Sequence, residues 1–213
     1  MRGDLTEGDI TKKLLLMAGN LLQQMYNVAD TLIVGRFLGA DALAAVGSSY
    51  TLMVFLTSIL LGLCMGSSAF FSIQFGRKDM ERLRTSFALS FLLIGAAALL
   101  LNLLSFAGLD WIIRALQVPR EVVGLMREYL FCIFFGIPAT FLYNYFANLL
   151  RAVGDSVTPL LFLGIAAVMN IALDLVFVIV FRWGVAGAAA ATVLSQYASG
   201  LGILLYYLLR FPE

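Results

Sequence analysis

Asn170 and Asp174 place an amide and a carboxylate one helical turn apart inside an apolar run from Pro159 to Phe181. A carboxylate near the middle of a bilayer costs roughly 2.5 to 3.5 kcal/mol even on the gentler insertion scales, so Asp174 requires a compensating partner. Side chains four apart share a helix face, which lets the Asn170 amide donate to the carboxylate or share an ion with it. The pair reads as part of an ion or proton site.

A second set of polar groups lies near the amino terminus. Asn20, Gln23, Gln24, Asn27 and Asp30 recur at steps of three, one, three and three, a single stripe on a helix of period 3.6. Within a membrane such a stripe faces other helices or a wet cavity. Five polar groups ending in a carboxylate favour a cavity wall over simple helix-to-helix hydrogen bonding.

The elements that position these groups follow from composition. Hydrophobic residues make up 62% of the chain and charged residues 13%, with a mean hydropathy of +0.95, where a soluble domain carries about 25% charged residues. Continuous apolar runs without period-2 alternation exclude a β-barrel. The expected fold is all-α, a polytopic membrane protein with six transmembrane helices in a single lobe. The spans run about Lys13 to Leu38, Leu43 to Phe75, Phe87 to Gly108, Val122 to Leu150, Pro159 to Phe181 and Val185 to Leu209. The second and fourth exceed what a bilayer needs and are expected to tilt or reach into water.

Arg2, Lys12, Lys13, Arg77, Lys78, Arg82, Arg84, Arg151 and Arg210 fall on one side of this topology. Arg36, Arg114, Arg120, Arg127 and Arg182 fall on the other. The positive-inside rule then puts both termini in the cytoplasm and the chain in the cell membrane. The segment Met1 to Thr11 lacks a basic region and a cleavage site before the first apolar run, so it does not read as a cleaved signal. A net charge of +1 gives no reason to expect nucleic acid. Cys64 and Cys132 lie in apolar segments as small hydrophobes and imply no disulfide framework.

Finer features complete the reading. Gly62 and Gly66, with the serines and threonines of the second span, suggest close helix packing. Leu109 to Arg120, with Trp111, reads as an interfacial segment. Gly136 and Pro138 predict a kink in the fourth span. Beyond it, Tyr143, Asn144 and Asn148 either line the cavity or satisfy backbone carbonyls freed by the proline. In the loop Arg151 to Pro159, a turn at Gly154-Asp155 is followed by Thr158 as helix cap and Pro159 as first helical residue.

Helical rise puts the polar groups at one depth. Asp174 lies nine residues before Trp183 and Thr192 nine after it, and Asp30 lies nine before Gly39. Each then sits about 13 Å below the outer end. Ala188, one turn from Thr192, offers a carbonyl. Asp30, Asn170, Asp174 and Thr192 converge if the first helix packs beside the last two. Two carboxylates in one dry site cannot both stay ionised cheaply, and a proton or a Na⁺ would relieve the cost. Oxygen-only ligands suit a hard cation. The absence of His excludes His-based triads and zinc motifs that open with His. Neither aspartate has the Gly-x-Gly-Asp setting of an intramembrane aspartyl protease, so no enzyme activity is expected.

The stretch Gly19 to Gly39, the loop Arg151 to Pro159 and Asn170 to Asp174 together resemble the multidrug and toxic compound extrusion (MATE) family. The resemblance implies the amino-terminal six-helix lobe of a twelve-helix antiporter coupled to H⁺ or Na⁺, with no other cofactor. It implies a cation site at Asp30, Asn170, Asp174 and Thr192 with the Ala188 backbone, the four side chains serving for Na⁺. Asn20, Gln23, Gln24, Asn27, Tyr143 and Asn144 would line a cavity for amphipathic, cationic small molecules. In the family's scheme, protonation or Na⁺ binding bends the first helix and squeezes substrate from the lobe.

Two departures stand out. Lys13 reaches Gly19 in six steps, so the first helix is shorter than in the family and lacks its proline, and the carboxyl-terminal lobe is absent from this chain. Transport by alternation needs two units about a midplane site. The chain is therefore expected to be a fragment or truncated product, or to pair with a second copy. A flippase for lipid-linked sugars, from the same superfamily, would line its cavity with Arg or Lys for pyrophosphate, and no basic residue lies mid-span. A non-transporting membrane subunit is the third reading.

Overall fold

The computed structural model describes residues Glu7–Arg210. Arg2 and Asp4, which enter the reading of the amino-terminal segment, lie outside the described residues. Eight α-helices follow one another: α1 (Glu7–Leu38), α2 (Ala40–Gly76), α3 (Met80–Ala107), α4 (Leu109–Ala115), α5 (Arg120–Ile133), α6 (Ile137–Ala152), α7 (Val157–Asp174) and α8 (Val185–Arg210). A 3₁₀ turn at Phe134–Gly136 joins α5 to α6, and a π-helical segment, Leu175–Val180, continues α7.

Five stretches are long and apolar enough to cross a membrane: Ala40–Gly76, Met80–Ala107, Arg120–Ala152, Val157–Val180 and Val185–Arg210. Helix α1 has 32 residues and so has the length as well. Its amides and Asp30 lower its apolarity, which is the cost expected of a helix with a wet face. Several helices run past their apolar cores. Helix α3 begins with Glu81, Arg82 and Arg84, good helix formers that extend it by an exposed, charged first turn.

Helices α1 and α2 meet at a single residue, Gly39, whose φ of +94° lies where glycine is favoured. Helix α8 is the spine of the bundle, packed between α6 and α7, with α5 also against it. Helix α1 covers α7, while α2 lies across α5 and α6 and carries α3 on its flank. Two hydroxyls of α2 fasten it to the carboxyl-terminal end of α6: Ser68 donates to the Asn148 carbonyl at 2.9 Å and Ser72 to that of Ala152 at 3.3 Å. The helices approach most closely where α8 crosses α6. A Cβ on Gly200 would stand 2.7 Å from the Ala139 carbonyl oxygen.

Phe71, Phe87, Phe91, Phe141, Tyr145, Phe146 and Tyr207 form a continuous aromatic cluster below this crossing. Within it Tyr145 donates to the Phe87 carbonyl at 2.9 Å and lies 2.7 Å from the Ser90 hydroxyl, which satisfies its polar end. At the turn between α7 and α8 Trp183 stacks on Phe177 at 4.7 Å. The short helix α4 buries Leu109 and Ile113 and exposes Trp111. Its Asp110 pairs with Arg127 at 2.7 Å.

Two expectations are corrected. Nothing lies within 4 Å of a Cβ built on Gly62 or Gly66, so these glycines face outward from this bundle and pack no helix within it. Helix α7 starts at Val157, not Pro159, and Thr158 is not its cap. The capping position is Ser156, whose side chain makes no capping bond, and Asp155 before it supplies one instead: its carboxylate accepts from the Thr158 amide at 3.1 Å and from the Thr158 hydroxyl at 2.7 Å. A carboxylate at a helix start accepts two donors and also meets the positive end of the helix dipole, which a threonine hydroxyl does less well.

Candidate cation site

The polar residues singled out by spacing divide into two groups in space. Asp30, Asn170, Asp174, Ala188 and Thr192 come together where α1, α7 and α8 meet, and all five are buried, Asp174 and Asn170 at 0% and 1% relative exposure. Packing of α1 on α7 brings Asp30 across, as the depth arithmetic required. The Asn170 amide donates to the Thr192 hydroxyl at 3.1 Å, and that hydroxyl donates to the Ala188 carbonyl at 3.2 Å. The Asp30 and Asp174 carboxyl groups lie within hydrogen-bonding reach of each other.

This chain of donors leaves several acceptors over. Asp30 Oδ1, Asn170 Oδ1 and both carboxylate oxygens of Asp174 are buried with no protein donor. A buried acceptor without a donor costs roughly 1–3 kcal/mol, and more when charged. Four such oxygens at one point want positive charge or a proton. Among the described residues there is no cluster of three or more His, Cys, Asp or Glu. The donor set is two carboxylates, an amide oxygen and a hydroxyl, which fits a monovalent hard cation better than a transition metal.

Two tyrosines belong to the site that spacing did not single out. Tyr26, one turn before Asp30 on the same face of α1, brings its hydroxyl within reach of Thr192. Tyr129 of α5 is buried and close to Asp30, Tyr26 and Asp174. The signal for Tyr26 was available in its four-residue spacing from Asp30. Tyr129 sits in an apolar helix face with no polar neighbour to mark it.

The second group lines the open side of the bundle or bonds to backbone. Asn20, Gln23 and Gln24 are exposed on α1, and Asn27 donates to the Tyr50 hydroxyl of α2 at 3.3 Å. An exposed run of amides on a membrane helix is incompatible with lipid contact, so this face borders water or protein. On α6, Tyr143 donates to the Pro159 carbonyl at 2.9 Å, Asn144 to that of Thr140 at 3.0 Å and Asn148 to that of Asn144 at 2.7 Å. Those side chains satisfy carbonyls, though not the one freed by Pro138. The Phe134 carbonyl takes the Ile137 amide through the 3₁₀ turn.

The π-helical segment begins at the residue after Asp174. Its wider turn closes with the Phe181 amide on the Val176 carbonyl at 2.9 Å. Such segments occur mostly as single wide turns within α-helices, often at functional sites. Here it follows the buried carboxylate directly and carries Phe177, which stacks on Trp183.

The MatE family model matches residues 16–176. Across 97% of its length the chain is 35% identical to the probable multidrug resistance protein YpnP of Bacillus subtilis (strain 168), of which it spans 47%. Across 91% it is 28% identical to the multidrug export protein MepA of Staphylococcus saprophyticus subsp. saprophyticus, of which it spans 43%. It superposes on an outward-facing structure of a multidrug resistance MATE family transporter with a TM-score of 0.86 at 30% identity, covering 99% of this chain and 46% of that one. The chain thus spans about half the length of the relatives it matches. A helical membrane bundle of this architecture, matched over most of its residues by one family, is a member of that family: the chain belongs to the MATE family of transporters.

Proposed function

We propose that this chain is the amino-terminal lobe of a cation-coupled multidrug efflux antiporter, with Asp30 and Asp174 as the coupling carboxylates. The observation that carries this reading is the pair itself: two buried carboxyl groups within reach of each other, surrounded by oxygens that lack donors. A hydrogen bond between two carboxyls exists only when one holds a proton, and a Na⁺ among the same oxygens satisfies them equally. Protonation or Na⁺ binding therefore ties α1 to α7, and its loss leaves two like charges that push the helices apart. The exposed amides of α1 border the space where an amphipathic organic cation sits.

In this reading six spans form the lobe, both termini face the cytoplasm, and a second six-helix unit or a second copy of the chain closes the cavity. The names of the relatives support the multidrug assignment. In cells carrying the gene, Asp30→Asn and Asp174→Asn should each abolish ion-driven efflux of a cationic dye while leaving the protein in the membrane. Unchanged efflux in both variants overturns the mechanism.

A further inference from the structure

An open cleft of about 360 Å³ lies where the end of α1 meets the π-helical segment, and no residue of the carboxyl site lines it. Phe37 and Leu38 come from α1, Val178 and Ile179 from the π-helical segment, and Arg182 and Gly184 from the turn that follows. The side chains are thus apolar apart from one guanidinium. Among the described residues no carboxylate pairs with Arg182.

The turn is built to hold Arg182 in place. Its φ of +55° lies in the left-handed region, which a non-glycine residue keeps only when its surroundings fix it. Trp183 does the fixing: its amide donates to the Phe177 carbonyl at 2.9 Å and its ring stacks on Phe177 at 4.7 Å. Phe181 and Trp183, on either side of Arg182, are 50% and 51% exposed. An exposed indole beside an arginine at the end of a membrane helix marks headgroup depth. The apolar walls of the cleft then meet the adjoining acyl chains.

A small soluble anion would use the guanidinium and leave the apolar walls wet, and an uncharged apolar molecule would do the reverse. A choline lipid brings a second cation that no carboxylate of the cleft receives. We propose that this cleft binds an anionic phospholipid, with its phosphodiester on Arg182 and one acyl chain against Phe37, Leu38, Val178 and Ile179. The planar fork of arginine suits a phosphodiester because it meets two oxygens at once. Since the walls belong to α1 and to the continuation of α7, the lipid bridges the helices that carry Asp30 and Asp174. It occupies a site separate from the carboxyl pair, whatever the chain transports.

Trp183 itself can report on this site. The chain has two tryptophans, and Trp111 is exposed on α4, so Trp111→Phe leaves Trp183 as the one indole, beside the cleft. The purified full chain with this change is placed in phosphatidylcholine nanodiscs that carry a small fraction of phosphatidylglycerol with brominated acyl chains, which quench a neighbouring indole. From the quenching of Trp183, the apparent affinity for phosphatidylglycerol should exceed that for brominated phosphatidylcholine by about fivefold. Arg182 is exposed, so its replacement spares the fold, and Arg182→Asn, neutral and tolerant of the left-handed backbone, should abolish the preference. Ile179→Phe, which fills the cleft and keeps the charge, should abolish it too. Arg36→Gln should leave it unchanged, because Arg36 lies over the Phe37 ring at 5.9 Å and does not line the cleft. Equal affinity for the two lipids overturns the site, as does a preference that survives Arg182→Asn. A preference that survives Ile179→Phe, or that falls as far in Arg36→Gln, marks diffuse attraction to a basic surface and also overturns it. Displacement of the brominated lipid by soluble glycerol phosphate marks a site for phosphate alone and overturns the lipid assignment.

Discussion

Thr192 is the hub of the proposed cation site, because its hydroxyl receives the Asn170 amide and passes a hydrogen to the Ala188 carbonyl. Thr192→Val keeps the shape and removes both bonds. The purified chain should lose about 1 kcal/mol or more of stability, read as a lower unfolding midpoint, because the Asn170 amide is left buried without its acceptor. The site was largely legible from residue types and spacing, since carboxylates and amides in an apolar run are costly enough to be informative. Asp30, Asn170, Asp174, Ala188 and Thr192 met as the shared depth implied. Tyr26 and Tyr129 escaped because an aromatic in a membrane helix is ordinarily packing, and its hydroxyl announces nothing until a neighbour is known.

At the scale of the element, glycines that look alike in sequence differ in consequence. Gly200→Ala pushes a methyl against the Ala139 carbonyl and should cost about 1–3 kcal/mol, because both partners are backbone and neither can yield. Gly62→Ala and Gly66→Ala meet nothing within 4 Å, and should stabilise this chain by up to about 1 kcal/mol each through helix propensity. Unfolding of the three variants in matched detergent checks both signs. Small-xxx-small spacing in sequence signals that a helix is able to approach another closely, and does not say which helix. The interruption of the fourth span, a 3₁₀ turn at Phe134–Gly136, was readable because Gly136 and Pro138 sit together, whereas the π-helical turn over Leu175–Val180 contains neither glycine nor proline and left no mark. Only its hydrogen bonds, set by packing against α1 and α8, reveal it.

For the whole molecule, the distribution of Lys and Arg makes a statement about sides of a membrane that thiol labelling can check. In a chain with Cys64 and Cys132 replaced by Ala, a cysteine at Lys78 should react with an impermeant maleimide only after permeabilisation, and one at Arg182 in intact cells. The reverse pattern would invert the topology. The bundle as a whole was foreseeable because apolar runs of this length leave few alternatives to membrane helices. The order of their packing was not, since lipid-facing leucines and core leucines are the same residue.

The single-residue joint at Gly39 fixes what α1 can do. With no slack between it and α2, α1 cannot slide along its own axis and is left with rotation about that pivot. Asp30 lies nine residues from the joint, a radius of about 13 Å, so a swing of about 10° displaces its carboxylate by roughly 2 Å, enough to part a hydrogen-bonded pair. The Glu7 end, at a radius of about 48 Å, sweeps roughly 8 Å in the same motion. The linkage thus has the geometry of a lever with unequal arms, in which a shift of roughly 2 Å at the buried carboxyls corresponds to one wider than a helix radius at the far end.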